Sequence, residues 1–103
     1  MNERDFIVSI LSGLDDALQE VAIPATLVVG DRTLSTGEVL FSKSDPLSAE
    51  FVPTPGNEPV TFPMSGGILI LKGRAERLRA LDLQRGGGVF HNRLRFRYEV
   101  LHA

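Results

Sequence analysis

The spacing of apolar residues changes period near residue 24. Over the first twenty or so residues, Phe6, Ile7, Ile10, Leu14, Ala17, Leu18 and Val21 recur at intervals of three and four, the spacing that lines one face of a helix. Asn2 stands where an N-cap belongs, and Asp5 three residues later where a capping-box acid belongs. Gly13 weakens this helix by about 1 kcal/mol relative to alanine. Pro24 forbids its continuation. Asp15, Asp16 and Glu20 then fall near the helix C-terminus, where the macrodipole disfavours negative charge, so cations from elsewhere in the fold would suit them.

Beyond Pro24 the period shortens to two. Ala25–Val29 and Arg32–Thr36 flank Gly30-Asp31, a two-residue link suited to a tight hairpin, with Leu27 opposite Leu34. Leu34 is even-numbered whereas Val39 and Phe41 are odd-numbered, so the alternation slips by one residue between them. Gly37 lies in that interval and predicts a bulge and a bent strand of the kind barrels and rolls use. Asp45-Pro46 marks a loop over residues 42–48. Ala49–Pro53 and Pro59–Met64 read as a second hairpin, and its four prolines place it at a sheet edge because each lacks a backbone donor. Ile68–Leu71, introduced by Gly66-Gly67, reads as a strand buried on both faces.

Residues 74–85 are nearly all good helix formers, with Gly86 in the place of a C-cap glycine, and they predict a short second helix. As a strand they fail to alternate, because Leu78 and Ala80 are out of phase with Leu81 and Leu83. The competing reading is one arm of a hairpin turning at Gly86–Gly88. The final segment alternates cleanly: Phe90, Leu94, Phe96, Tyr98 and Val100 share one face, and His91, Arg93, Arg95, Arg97 and Glu99 the other. Together these elements predict a single α+β domain over residues 1–103. An N-terminal helix would pack on a bent antiparallel sheet or small β-barrel or roll, with a short second helix before the last strand.

Composition adds bounds rather than identity. A chain of 103 residues with 43% hydrophobic and 23% charged residues has room for one globular core and does not read as disordered. The absence of cysteine removes disulfides, thiolate metal sites and cysteine nucleophiles. The longest apolar run, Ile68–Leu71, is far short of the roughly 20 residues that span a bilayer. The opening residues lack the basic-then-apolar order of a secretory signal. A cytoplasmic protein without membrane contact is expected.

Charge is divided unevenly along the chain. Residues 1–60 carry ten acids and three bases, residues 61–103 eight bases and three acids, for a net charge of −2 overall. Internal neutralisation between the halves is the simplest consequence.

The familiar catalytic and cofactor signatures are missing. No phosphate-loop pattern, nucleophile elbow, zinc-helix motif or calcium loop is present, and Gly86–Gly88 comes before a strand rather than opening a helix. His102 lies one residue from the end. His91 shares its strand face with three arginines, which depress an imidazole's proton affinity and make it a poor metal ligand. No cofactor, metal or catalytic residue is therefore expected, and the chain does not read as an enzyme.

What stands out is the row His91, Arg93, Arg95 and Arg97. Alternate residues on a strand are about 6.5–7 Å apart, so the row is roughly 20 Å long. It must face water or meet anions. Those anions could be Asp15, Asp16 and Glu20 of the first helix packing across the row, an acidic patch on another subunit or a protein partner, or nucleic-acid phosphate. The phosphate option is weakest, since the chain is acidic overall, with a pI near 5.6, and Phe96 and Tyr98 face away from the row. The pattern points to a small non-catalytic assembly or adaptor domain acting through protein contacts, self-association included, with the terminal strand as the contact element. The alternative is a nucleic-acid-binding module in which Lys72, Arg74, Arg77 and Arg79 extend the arginine row.

Overall fold

A computed structural model describes residues 3–11, 20–56, 67–85 and 93–101. The elements are helix α1 (Glu3–Leu11) and strands β1 (Glu20–Val29), β2 (Arg32–Ser42), β3 (Ser48–Pro53), β4 (Ile68–Leu71), β5 (Arg77–Arg85) and β6 (Leu94–Leu101). The six strands close into an antiparallel barrel in the order β1-β2-β3-β6-β5-β4. It consists of two three-stranded meanders, β1-β2-β3 and β4-β5-β6, joined along both sides. The run β4-β1-β2-β3 has Greek-key order. The fold is thus a mainly-β barrel with one short helix, not the expected α+β layering of helices on a sheet.

The β1–β2 hairpin turns at Gly30 and Asp31, with Gly30 at φ 61°, as the Gly-Asp pair predicts. Its register differs from the expected one. Leu27 pairs with Ser35 and Val28 with Thr33, which leaves Leu34 as the extra residue. The one-residue slip therefore falls at Leu34 rather than at Gly37, and it puts Ser35, Gly37, Val39 and Phe41 on the inward side of β2. Gly37 stays in register, between Ala25 and Pro53.

Two prolines sit inside strands, at the points where their missing donors cost no ladder bond. The Pro24 carbonyl accepts a hydrogen bond from the Lys72 amide (2.9 Å). The nitrogen of Pro24 consequently faces the same side, where β4 has already ended at Leu71. The Thr54 amide donates to the Thr36 carbonyl (2.9 Å) on the β2 side. Pro53, one residue earlier, thus faces β6, whose pairing with β3 stops at Phe51. Pro24 does not stop a helix, because residues 20–23 already belong to β1, with Val21 and Ile23 packed toward the core. The edge placement of Ala49–Pro53 is also corrected: β3 lies between β2 and β6. Residues 59–64, its expected partner, are outside the described residues.

Residues 77–85 form a strand rather than the expected second helix, and among the described residues α1 is the only helix. Leu81 pairs with Arg97 and Gln84 with Arg95, so Asp82 and Leu83 together stand opposite Phe96. Asp82 has φ 53°, a left-handed conformation that aspartate tolerates better than most residues. This bulge shifts the phase, letting Leu78, Ala80 and Leu83 all face inward. The broken alternation of the segment is the signature of the bulge.

The barrel interior is filled by Leu27, Val39, Phe41, Phe51, Leu69, Leu71, Leu78, Leu94 and Phe96, each at most 1% exposed. Ile68 and Ile70, expected to be buried on both sides of β4, are half-buried on its outer face. Helix α1 closes one end of the barrel with Phe6, Ile7 and Ile10. Phe6 meets Phe41 and Tyr98 edge to face, with ring centroids 5.7 and 6.0 Å away, the geometry aromatic quadrupoles favour. The helix expectation holds for this apolar face. Leu14, Asp15, Asp16, Ala17 and Leu18, together with Asn2 and Gly13, lie outside the described residues.

Candidate functional site

Strand β6 alternates as the sequence predicts, with Leu94, Phe96, Tyr98 and Val100 buried and Arg95 and Arg97 exposed. Arg93 stands just before the strand. His91 and His102 lie outside the described residues. The arginines therefore point away from the core and line the outer wall of the barrel, flanked by β3 on one side and β5 on the other.

The wall supplies its own acids. Arg95 Nη2 donates to Asp45 Oδ2 at 2.6 Å, and Arg93 Nη1 to Glu50 Oε2 at 3.4 Å. Arg97 Nη1 is 3.9 Å from Asp82 Oδ2, and Arg79 on β5 donates to Glu99 at 2.8 Å. Asp45 comes from the loop before β3, which is braced by Ser48 N–H donating to the Asp45 carbonyl (3.3 Å) and by Tyr98 Oη donating to the Pro46 carbonyl (2.7 Å). Glu50 is an outward position of β3, directly beside Arg95 in the ladder. Glu20 opens β1 and helps to line a water-sized pocket of about 40 Å³ with Asp45, Glu50 and Arg95. It thus approaches the arginine row as a strand residue and not, as expected, from a helix.

Of the residues expected to extend the row, Arg79 joins it through Glu99, its cross-strand neighbour. Arg77 is exposed one position further along the outer face of β5. Lys72 belongs to the turn after β4. Arg74 is committed elsewhere: its guanidinium carbon lies 5.2 Å from the centre of the Phe6 ring, Nη2 donates to Ser9 Oγ at 2.9 Å, and Nε lies 3.3 Å from Glu76. Arg74 therefore anchors α1 to the barrel and is not part of the basic wall.

The β5 bulge opens a groove of about 430 Å³ along this wall. Arg95 and Arg97 on β6 run along its middle, flanked by Asp82 and Gln84 on β5 and by Ser48 on β3, above the buried Leu83 and Phe96. The arginines are legible in the sequence, whereas nothing in it singles out Asp45, Glu50, Asp82 and Gln84 as their neighbours. Only the charge split hinted at them: Asp45 and Glu50 come from the acidic first part of the chain, so two of these ion pairs join the two halves.

Among the described residues no group of three His, Asp or Glu side chains is placed to hold a metal ion. No described helix is long and apolar enough to cross a membrane. Comparison of the chain with protein-family models, characterised proteins and solved structures finds no match.

Proposed function

We propose that this protein is a small assembly or adaptor domain that works by protein–protein contact through the outer wall of β5 and β6. Arg93, Arg95 and Arg97 form the centre of the contact. The observation that carries this reading is the interleaving of signs on that wall, where each of these arginines, and Arg79, has a carboxylate beside it. A nucleic-acid backbone presents the same charge at every step, and along this wall it would meet Asp45, Glu50, Asp82 and Glu99 as well as the arginines. A protein surface with its own mixed charges can match both signs. Exposed ion pairs contribute only about 0–1 kcal/mol each, so exchanging internal partners for external ones costs little. Guanidinium groups also suit bidentate carboxylate pairing.

Along its first half, β6 offers no free edge for strand addition. Over Leu94–Arg97, β6 is already paired on both sides. Contact through side chains on the wall remains.

The test combines solution mass over a concentration series with partner capture, comparing the wild type and the R95E/R97E double variant, and oligonucleotide titration across a salt series. Self-association or capture of a defined partner that charge reversal abolishes is the expected result. A monomer at all concentrations with no charge-sensitive partner overturns the proposal. Oligonucleotide binding whose log–log salt slope falls on Arg95→Glu would replace it with the nucleic-acid reading.

A further inference from the structure

The ion pairs on the arginine wall are not equivalent. Arg95–Asp45 and Arg79–Glu99 are short, at 2.6 and 2.8 Å, whereas Arg97–Asp82 is stretched to 3.9 Å with both side chains 70% exposed. At that separation in water the attraction is weak. Asp82 is also the left-handed residue of the β5 bulge, so the turn that opens the groove also delivers the carboxylate to its rim.

From this arrangement we infer that the groove at the β5 bulge seats an extended acidic peptide segment, with Asp82 as an internal placeholder for one of its carboxylates. The inference rests on the reading of this wall as a protein-contact surface and names the partner's chemistry. Arg95 and Arg97 are alternate residues on one strand face, about 6.5–7 Å apart, and an extended peptide spaces its alternate side chains by the same distance. Carboxylates at positions i and i+2 of a bound segment therefore fall in register with the two guanidinium groups. Gln84 is the cross-strand neighbour of Arg95 and Ser48 that of Arg97, which puts an amide beside the first cation and a hydroxyl beside the second to satisfy remaining carboxylate lone pairs. A segment with two acids sets only one carboxylate beside Asp45 and Glu50, at Arg95, whereas a continuous polyanion adds like charge along the whole wall.

Displacement predicts a sign that simple attraction does not. Removing the Asp82 charge should strengthen binding, because the incoming carboxylate no longer competes. The experiment is a fluorescence-anisotropy titration of the full chain with a labelled ten-residue Gly/Ser peptide that carries a single Glu-Ser-Glu. Parallel arms use a Lys–Ser peptide and a ten-nucleotide oligothymidylate. Asp82→Asn, which keeps a residue tolerant of the left-handed conformation, should tighten the acidic peptide by about two- to fivefold. Asp31→Asn, with the same change in net charge at the far β1–β2 turn, should leave affinity unchanged. Arg97→Glu should weaken binding at least about tenfold.

No binding of the acidic peptide, or binding indifferent to Asp82→Asn and Arg97→Glu, overturns the inference. So does an oligothymidylate that binds more tightly with the same mutational pattern. If these fail while partner capture still depends on Arg95 and Arg97, only the groove assignment falls. If charge reversal also leaves solution mass and capture unchanged, the wall itself is not the contact surface.

Discussion

At Gly37 a side chain would run into the backbone of β3. An added Cβ would lie 2.8 Å from Pro53 Cα and would collide with the Val52 carbonyl oxygen. The glycine lets β2 and β3 approach closely at an inward position of a tightly curved wall. Gly37→Ala is therefore expected to cost at least about 1–3 kcal/mol, since neither backbone can move without disturbing the ladder. Gly30→Ala meets nothing within 4 Å, so only its positive φ is strained, by about 1–2 kcal/mol. Urea unfolding of the two variants should show the larger loss of midpoint for Gly37→Ala. At this scale the sequence marked Gly37 as special but attached the wrong reason to it. The slip in alternation is absorbed at Leu34, and nothing in the residue type of a leucine announces a bulge.

Among the elements, β5 and α1 show local preference and tertiary context pulling in different directions. Residues 77–85 are rich in arginine and leucine, both good helix formers, yet they lie between β4 and β6 in the barrel. Differences in helix propensity of a few tenths of a kcal/mol per residue are outweighed when Leu78, Ala80 and Leu83 gain burial from the strand conformation. Helix α1, of nine residues, is too short to persist alone in water. It is held by its apolar face and by Arg74 lying over Phe6 and bonded to Ser9. Phe6→Ala should cost about 3–5 kcal/mol, the range for a fully buried aromatic ring. Hydrogen exchange should localise the effect: α1 amides lose protection first, while amides of the β1–β2 ladder stay protected.

For the molecule as a whole, closure depends on pairings between distant parts of the chain. Ser48 pairs with Arg97 and Phe51 with Leu94, while β1 meets β4 over Ala25–Val28. Such non-local contacts incur loop-closure entropy before they add stability, so refolding should fall in the millisecond-to-second range rather than in microseconds. Stopped-flow refolding from urea checks this, and a microsecond phase carrying the full amplitude would contradict it. The same closure joins the acidic and basic parts of the chain at Arg93–Glu50 and Arg95–Asp45. Those pairs are partly or largely exposed, so stability should change by less than about 1 kcal/mol between low and moderate salt, whereas partner binding through the same wall should weaken with salt.

By itself the sequence determined the two faces of β6, the Gly30-Asp31 hairpin and the apolar face of α1. Each follows from residues adjacent along the chain, through the two- and 3.6-residue periods or the torsional freedom of glycine. Only the tertiary structure decided that residues 77–85 are a strand, that β3 is interior rather than an edge, and which carboxylates stand beside the arginines. Those outcomes depend on groups up to 50 positions apart, whose meeting is governed by burial and barrel closure rather than by any local pattern.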